Sequence, residues 1–344
     1  MRDFCWRKAT VSVWLLLLLS GCSAPGINDD VNEYAARLAR VLDTSVQPEQ
    51  PLPTLQYPAR ESLYAEPASV EMNLTRFYQL QQCELGNVVA QRNTALGKVQ
   101  HLSQRLIYEQ HLLAALTDCM NFVRSKKDED HQELLATLNA WHSLKQQAYP
   151  LHWANMLLLS DETRAAFNRP RADLLYGEQI DIAGQLALFK QLSDAATPSA
   201  RIENLEVTLQ AIGVTRLPAS VWQAQQYLAT VLPDLTQQLD PALAAVACPD
   251  GSASEQANIL RNVFYLFFIE RIQPVGGRIN DFNYQFEALL SSWQNAASLP
   301  QPFRKFMQQQ QAYFVSYQQA VQAHVKLWQR FLSRCHLSPT APRG

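Results

Sequence analysis

The sequence is poor in the residues that shape β-turns and interrupt helices. Glycine occurs only 11 times in 344 residues, and the hairpin dipeptide Asn-Gly is absent. Beyond residue 66, no stretch alternates apolar and polar residues with the period of two that a half-buried β-strand requires. Apolar residues recur instead at spacings of three and four, which is the pattern of amphipathic helices. The sequence therefore excludes a β-sandwich or barrel and predicts an all-α fold.

The sequence also has no excess of basic over acidic residues and none of the common catalytic motifs. The chain carries 29 Lys and Arg against 31 Asp and Glu, so it lacks the positive surface that binding to nucleic acid needs, and we expect no nucleic-acid partner. It contains no HExxH or HxxxH pair, no Gly-x-Ser-x-Gly elbow, no Walker loop and no GxGxxG. We therefore expect neither a metal site nor a bound cofactor.

One strongly apolar run lies near the amino terminus, at residues 11–22. Three basic residues precede it, and small residues lead to a cysteine at its end: Arg2, Arg7, Lys8, Ser20, Gly21 and Cys22. A basic flank, a short apolar core and a small-residue exit are typical of a secretory signal peptide. The run is too short for a membrane-spanning helix, which needs about 20 apolar residues. We therefore interpret residues 1–21 as a signal peptide.

The tetrapeptide Leu19-Ser20-Gly21-Cys22 resembles the lipobox of bacterial lipoproteins. The resemblance implies that the leader is cut before Cys22, and that this residue carries a covalent diacylglycerol and an N-linked acyl chain. Two or three acyl chains anchor a protein stably to a membrane. In enterobacterial lipoproteins, a serine after the cysteine, here Ser23, implies transfer to the outer membrane. We therefore expect a lipoprotein on the periplasmic side of the outer membrane.

The chain without its leader has the composition of a soluble helical body. Its 323 residues carry 26 Lys and Arg against 30 Asp and Glu, a net charge of −4. This length slightly exceeds that of most domains built around a single hydrophobic core. We therefore expect an elongated bundle of antiparallel helical hairpins, stapled by disulfides. Its parts are a tether, short helix and proline-rich extended segment over 22–66, an N-terminal helical part over 67–215, and a C-terminal helical part over 216–344.

Four cysteines remain once Cys5 leaves with the leader and Cys22 takes lipid. They are Cys83, Cys119, Cys248 and Cys335. In an oxidising periplasm, four thiols predict two disulfides, with three possible connectivities. No pair has the CxxC spacing of a redox site or zinc ribbon. We therefore interpret all four as structural.

Helix geometry favours one of the three connectivities. Apolar spacing predicts helices over 69–96 and 103–124, joined by residues 97–102. Cys83 and Cys119 lie about 20 and 24 Å along these arms from the connection, at 1.5 Å per residue. Antiparallel arms would bring the two cysteines level, so we pair them.

Cys248 and Cys335 then form the second pair, and the chain between them must return to its starting point. One reversal at residues 299–302 satisfies this requirement. The Pro-Val-Gly-Gly segment at 274–277 is then expected to be a kink in a helix and not a second turn.

Glu109 is the polar residue that most clearly interrupts an apolar row of the helix over 103–124. An unpaired buried carboxylate would be costly. The Cys83–Cys119 register places Arg92 beside it. We therefore predict an Arg92–Glu109 ion pair, with Arg105, one turn before Glu109, as a competitor. A structural pair is favoured over an active-site acid, because structural ion pairs also perturb carboxylates.

The segments Arg92-Asn-Thr-Ala-Leu-Gly-Lys-Val99 and Ser103-Gln-Arg-Leu-Ile-Tyr-Glu109 resemble the signature of an uncharacterised proteobacterial lipoprotein family. The family is catalogued only as a domain of unknown function. The flanking cysteines, the lipobox and Arg334-Cys335 are similar too, so the resemblance covers essentially the whole mature chain. It implies a lipoprotein and supplies no activity, cofactor or assigned site.

A second acidic candidate lies in the proline-rich segment. Glu61-Ser62 resembles the Glu-Ser pair of lytic transglycosylases, which cleave peptidoglycan with one acidic glutamate. The Gly-x-x-Gln element that follows in those enzymes is missing here. Glycosidases also need a second carboxylate or help from the substrate. Glu61 is therefore a weaker candidate than Glu109.

Functions from three classes are open. The absence of a convergent catalytic set favours a non-catalytic envelope scaffold with a periplasmic protein or cell-wall partner. The second is an envelope hydrolase of peptidoglycan or lipid, with Glu109 or Glu61 as the acid. The third is a helical module with an apolar groove for a lipid or peptide; a deep pocket between residues 255–296 and their neighbours would support it, and a filled core would count against it. Five tryptophans and one histidine are interpreted as core residues and not as sugar or metal ligands: Trp141, Trp153, Trp222, Trp293, Trp328 and His324.

Overall fold

A computed structural model describes residues 26–341, apart from 47, 49, 71–73, 93–100, 127–128 and 178–179. Every regular element in these residues is helical and none is a strand, so the predicted all-α fold is confirmed. The leader, Cys22 and Ser23 lie outside the described residues. Within the described part, no helix is both long enough and apolar enough to cross a bilayer.

The helices before residue 102 are short, and the longest helices follow from that residue onward. In chain order they are α1 (Ile27–Leu42), α2 (Arg60–Leu63), α3 (Leu74–Leu80), α4 (Leu85–Arg92), α5 (Leu102–Arg124), α6 (Glu129–Leu159), α7 (Asp161–Asn168), α8 (Ile182–Asp194), α9 (Leu205–Thr215), α10 (Leu217–Ala245), α11 (Glu255–Val263), a π-helix (Phe264–Ile272), α12 (Gln273–Asn295) and α13 (Gln301–Arg334). The predicted boundary at 215/216 coincides with the α9–α10 junction, although one main core draws residues from Ile27 to Cys335. The division into two parts stays a prediction.

The first disulfide forms as predicted, but the arm that carries Cys83 is broken. Cys83 bonds to Cys119. The helix predicted over 69–96 is interrupted at residues 81–84, between α3 and α4, and Cys83 lies in this break. Leu80 and Leu85 on either side are buried in a small second core with α5 and α6. The turn therefore places its two flanking leucines and the disulfide in the same small core.

α5 and α6 form an antiparallel hairpin, and α6 is longer than predicted. Apolar spacing in the sequence also predicts a helix over 130–147, which ends before Pro150. The observed helix continues to Leu159, so this predicted end is wrong. Tyr149 and Trp153, around the proline, are buried and donate hydrogen bonds of 3.2 and 2.7 Å to backbone carbonyls at the end of α8. These contacts offset the roughly 3 kcal/mol that a proline costs inside a helix.

The second disulfide closes the C-terminal hairpin. Cys248 bonds to Cys335, as predicted. α11, the π-helix and α12 run on without a turn, so the proline at 274 lies inside the helical arm and the chain reverses once, over residues 296–300. α13 then returns antiparallel to that arm, with Phe264 stacked on Trp328 at 4.5 Å between ring centroids.

α13 also packs parallel to α10, the most buried long helix. Residues 225, 236 and 243 of α10 contact residues 310, 324 and 334 of α13, in the same chain direction. The start of α10 is defined by Arg216, which adopts a left-handed φ of 56° and ends α9. Pro218 follows in the first turn of α10, where a missing N–H costs no helical hydrogen bond.

Candidate functional site

The strongest concentration of charge lies between α5 and α6. Glu109 is 1% exposed, and two cationic side chains contact its carboxylate. Lys145 Nζ lies 3.1 Å from Oε2 and donates a 3.2 Å hydrogen bond to Oε1. Arg105, one turn before Glu109 on α5, contacts Oε1 with Nη2. Arg105, which the sequence offered only as a competitor of Arg92, therefore contacts Glu109, and Lys145 is a partner that the sequence analysis missed.

Arg92 lies at the end of α4, within the electrostatic field of this cluster. Burial and the neighbouring Arg105 lower the pKa of its guanidinium, while Tyr108 and Glu109 raise it. The residues that follow, 93–100, lie outside the described part. The direct Arg92–Glu109 ion pair stays a prediction.

His152 completes the cluster from α6. Its Nε2 lies 3.5 Å from Glu109 Oε1, and its side chain is 7% exposed. Burial lowers its pKa to about 4, against the opposing effect of Glu109, so the imidazole is neutral at pH 7. His152 and Lys145 carry the same sequence signal as Glu109, which is a polar residue in an otherwise apolar row of a helix. Both lie in a row of α6 whose other members recur at spacings of three and four: Leu134, Leu138, Trp141 and Ala148.

This arrangement suits an ion network better than an acid catalyst. Glu109 is buried between two cationic side chains, whereas a general acid must lie within hydrogen-bond reach of the substrate atom that it protonates. Two residues of the same motif, at positions 103 and 104, also connect the start of α5 to α9. Ser103 Oγ and Gln104 Nε2 donate hydrogen bonds of 2.6 and 2.8 Å to Glu206 in the first turn of α9. The motif around Glu109 thus fixes how helices pack.

The other predicted acid is not part of this cluster. Glu61 lies on the one-turn helix α2 with an exposed side chain, and it makes no ion pair or side-chain hydrogen bond to any residue that the structure describes. The same part of the chain holds no group of three His, Cys, Asp or Glu side chains that could bind a metal.

His324 is a buried core residue, as predicted. Its Nε2 accepts hydrogen bonds from the indole N–H of Trp328 at 3.2 Å and from the Tyr34 hydroxyl at 3.0 Å. Because an indole only donates, the proton is assigned to Nδ1, which donates to Thr236 Oγ1 at 3.0 Å. Burial lowers the pKa of His324 to about 3. The ring therefore joins α1, α10 and α13 as a neutral residue.

A cavity lies among α10, α12 and α13. Its volume is about 210 Å³, and its lining includes Trp222, Asn283, Tyr284, Gln310 and Phe314. It adjoins an open groove of about 670 Å³ along α13, with which it shares Val315 and Gln318. The hypothesis of a lipid- or peptide-binding module requires a deep pocket beside residues 255–296; a cavity lies there, but amide side chains share its lining with apolar ones.

Comparison with known protein families identifies a match over most of the chain. A family model described as "Protein of unknown function (DUF3080)" matches residues 31–339. The match spans most of the chain, including both disulfides and the motif around Glu109, so the predicted membership of an uncharacterised family is confirmed. No curated protein and no solved structure matches the chain.

Proposed function

The chain belongs to the family described as a protein of unknown function (DUF3080), and we propose that it is a non-catalytic scaffold of the bacterial envelope, held by a lipid anchor. Acyl chains on Cys22 attach it to the periplasmic side of the outer membrane. Its disulfide-stapled helical body presents a binding surface to a periplasmic or cell-wall partner.

The disulfides carry this proposal. All four cysteines of the helical body are paired, as Cys83–Cys119 and Cys248–Cys335. Disulfides persist in oxidising compartments and are rare in the cytosol. They therefore support the export that the leader predicts, and the lipobox-like sequence supports attachment after export.

The state of the acidic candidates supports a non-catalytic role. Glu109 is buried and neutralised by Arg105 and Lys145, and Glu61 lies on the surface without a partner among the described residues. An inverting or retaining glycosidase places two carboxyl groups on either side of its substrate. These two residues do not form such a pair.

Fractionation of cells tests the anchor. We expect the wild-type protein in the membrane fraction, labelled by a fatty-acid analogue, and the Cys22→Ala variant without label. The matched control is Cys5→Ala, whose cysteine leaves with the leader and whose product should fractionate like wild type. A labelled Cys22→Ala protein would contradict the proposal.

Incubation with purified sacculi tests the absence of catalysis. We expect no soluble fragments to be released by the purified protein. Release that is lost in Glu109→Gln but kept in the stability-matched Lys145→Met variant would establish the hydrolase in place of the scaffold.

A further inference from the structure

The start of α1 determines which end of the helical body lies nearest the proposed lipid anchor. Cys22 precedes Gly26 by four residues, and Gly26 is the buried N-cap residue of α1. Because a chain extends by at most about 3.6 Å per residue, the Cα atoms of Cys22 and Gly26 lie within about 14 Å of each other. The start of α1 therefore lies close to the surface of any membrane that the acyl chains enter.

Short contacts connect the start of α1 to the start of α10. The Cβ of Ala172 lies 3.8 Å from the position that a Cβ would take on Gly26. The neighbouring Arg171 donates its backbone N–H to Ser220 Oγ at 2.9 Å. Ser220, in the first turns of α10, in turn donates a 3.0 Å hydrogen bond to the carbonyl of Arg216. The segment around Ala172 and the α9–α10 junction thus share the end of the body that carries the anchor.

The opposite end of the body lies far from this surface. α1 and α10 run in the same direction, because Tyr34 of α1 and Thr236 of α10 both contact His324 further along the bundle. α10 has 29 residues, so at 1.5 Å per residue its far end is about 43 Å from its start. The Cys248–Cys335 disulfide follows that far end. The long axis of α10 therefore separates an end beside the anchor from an end that carries a disulfide.

The surface beside the anchor combines free cations with an exposed apolar side chain. Val214 is 60% exposed, and its carbonyl accepts a 3.5 Å hydrogen bond from Arg171 Nη1. Arg169 is exposed and Arg216 is half-buried, and neither forms an ion pair with any residue that the structure describes. Arg171, in contrast, pairs with Asp173 at 2.6 Å. We call this surface the anchor-proximal face and define it by Arg169, Arg171, Ala172, Val214 and Arg216.

A phospholipid bilayer matches this face in chemistry and in available space. A guanidinium binds phosphate oxygens through two parallel hydrogen bonds, and the aliphatic stem of an arginine can lie along apolar surface. The exposed valine suits the apolar layer beneath the phosphates. A tether of about 14 Å leaves no room for a folded domain below this end, since a domain of 100 residues has a radius of gyration of about 13 Å. The geometry therefore favours the bilayer over a protein partner.

We propose that the anchor-proximal face rests on the phospholipid surface, where Arg169 and Arg216 bind lipid phosphates. The end with the Cys248–Cys335 disulfide then points away from the membrane. This inference rests on the proposed function, because it requires the anchor on Cys22. The mass of the amino-terminal peptide shows whether Cys22 is lipidated, so the orientation can fail while the anchor stands.

Fluorescence quenching in vesicles tests the orientation. Because the four cysteines of the body are paired, Val214→Cys and Gln329→Cys each supply one free thiol for a fluorophore. Gln329 is exposed and adjoins Arg330, which pairs with Asp240 near the far end of α10 at 3.1 Å. The lipidated full-length protein is reconstituted in vesicles of phosphatidylethanolamine and phosphatidylglycerol that contain a lipid with a nitroxide on its headgroup.

We expect the nitroxide to quench the label at position 214 at least twofold more strongly than the label at position 329. Equal quenching of the two labels, or stronger quenching at position 329, in protein whose Cys22 carries lipid would overturn the orientation and leave the anchor in place. An unlipidated Cys22 would overturn the anchor and the orientation together.

Charge variants test the role of the arginines. In the protein labelled at position 214, Arg169→Gln/Arg216→Gln should lower quenching at least twofold, because both free cations are removed. Arg169→Gln alone changes an exposed side chain and should lower quenching in the same direction. Arg330→Gln removes an exposed arginine from the far end and should leave quenching unchanged. Wild-type quenching in both Arg169 variants would overturn the assignment of the arginines to lipid phosphates.

Discussion

Lys145 on α6 and Glu109 on α5 form an ion pair between side chains that are 8% and 1% exposed, with 3.1 Å between Nζ and Oε2. Removing one partner of a buried pair leaves the other charge uncompensated. We therefore expect Lys145→Met to lower the free energy of unfolding by about 3–5 kcal/mol, measured by urea denaturation at pH 7.5.

The control for this variant is Glu33, an exposed carboxylate on α1 that pairs with Arg37 at 3.1 Å and with Arg271 at 2.8 Å. Glu33→Gln should change stability by less than about 1 kcal/mol. The double variant Glu109→Leu/Lys145→Met removes both charges and should recover part of the loss. A Lys145→Met protein as stable as Glu33→Gln would contradict the buried network.

The free energy of unfolding is expected to depend on pH because two buried histidines are neutral in the folded protein. Burial lowers the pKa of His152 from 6.5 to about 4 and that of His324 from 6.5 to about 3. Below pH 6.5 the unfolded chain binds protons that the folded protein does not, so stability is complete above pH 6.5 and falls as the pH drops toward 4. A pKa lowered from 6.5 to about 4 corresponds to about 3 kcal/mol.

Urea denaturation at pH 7.5, 5.5 and 4.5 measures this dependence. We expect His152→Gln to flatten the profile, because glutamine does not titrate. His111 on α5 is exposed, so His111→Gln should leave the profile unchanged. Equal slopes for wild type and His152→Gln would contradict a neutral buried His152.

The Cys248–Cys335 disulfide closes a loop with a sequence separation of 87 residues. Removing a crosslink raises the conformational entropy of the unfolded chain. In the chain-entropy model this lowers the free energy of unfolding by about 4–5 kcal/mol for a loop of this length. We therefore expect Cys248→Ala/Cys335→Ala to unfold at lower denaturant concentration, monitored by circular dichroism. Thiol titration of the exported wild-type protein should find no free sulfhydryl among the four body cysteines, and two or more would contradict the pairing.

Sorting between membranes is predicted to depend on the residue after the lipidated cysteine. We expect Ser23→Asp to retain the protein in the inner membrane, because aspartate at this position marks retention in the lipoproteins that the leader resembles. Ser23→Thr is the control and should reach the outer membrane. Density-gradient separation of the two membranes makes the comparison; outer-membrane Ser23→Asp protein would refute the sorting signal.

Most of the fold could be predicted because it depends on spacing within single helices and on where the chain must reverse direction. Helical spacing and scarce glycine indicated the fold class, and levelling Cys83 with Cys119 gave the first disulfide. The second followed from the requirement that the chain between Cys248 and Cys335 reverse once. The break at residues 81–84 was missed, because apolar spacing continues across it and only packing in the small core reveals the turn.

The candidate sites were less predictable because they depend on how helices meet. Glu109 was visible as one carboxylate in an apolar row. His152 lies beside it because α6 continues past Pro150, and spacing within one helix does not fix which face of α6 places Lys145 against α5. Trp222 was correctly interpreted as a core residue.

Mass spectrometry of the amino-terminal peptide from membrane-fraction protein tests the account most directly. We predict a peptide that begins at Cys22 and carries the mass of a diacylglycerol and one further acyl chain. A peptide that begins at Met1, or an unmodified Cys22, would contradict the lipid-anchored scaffold.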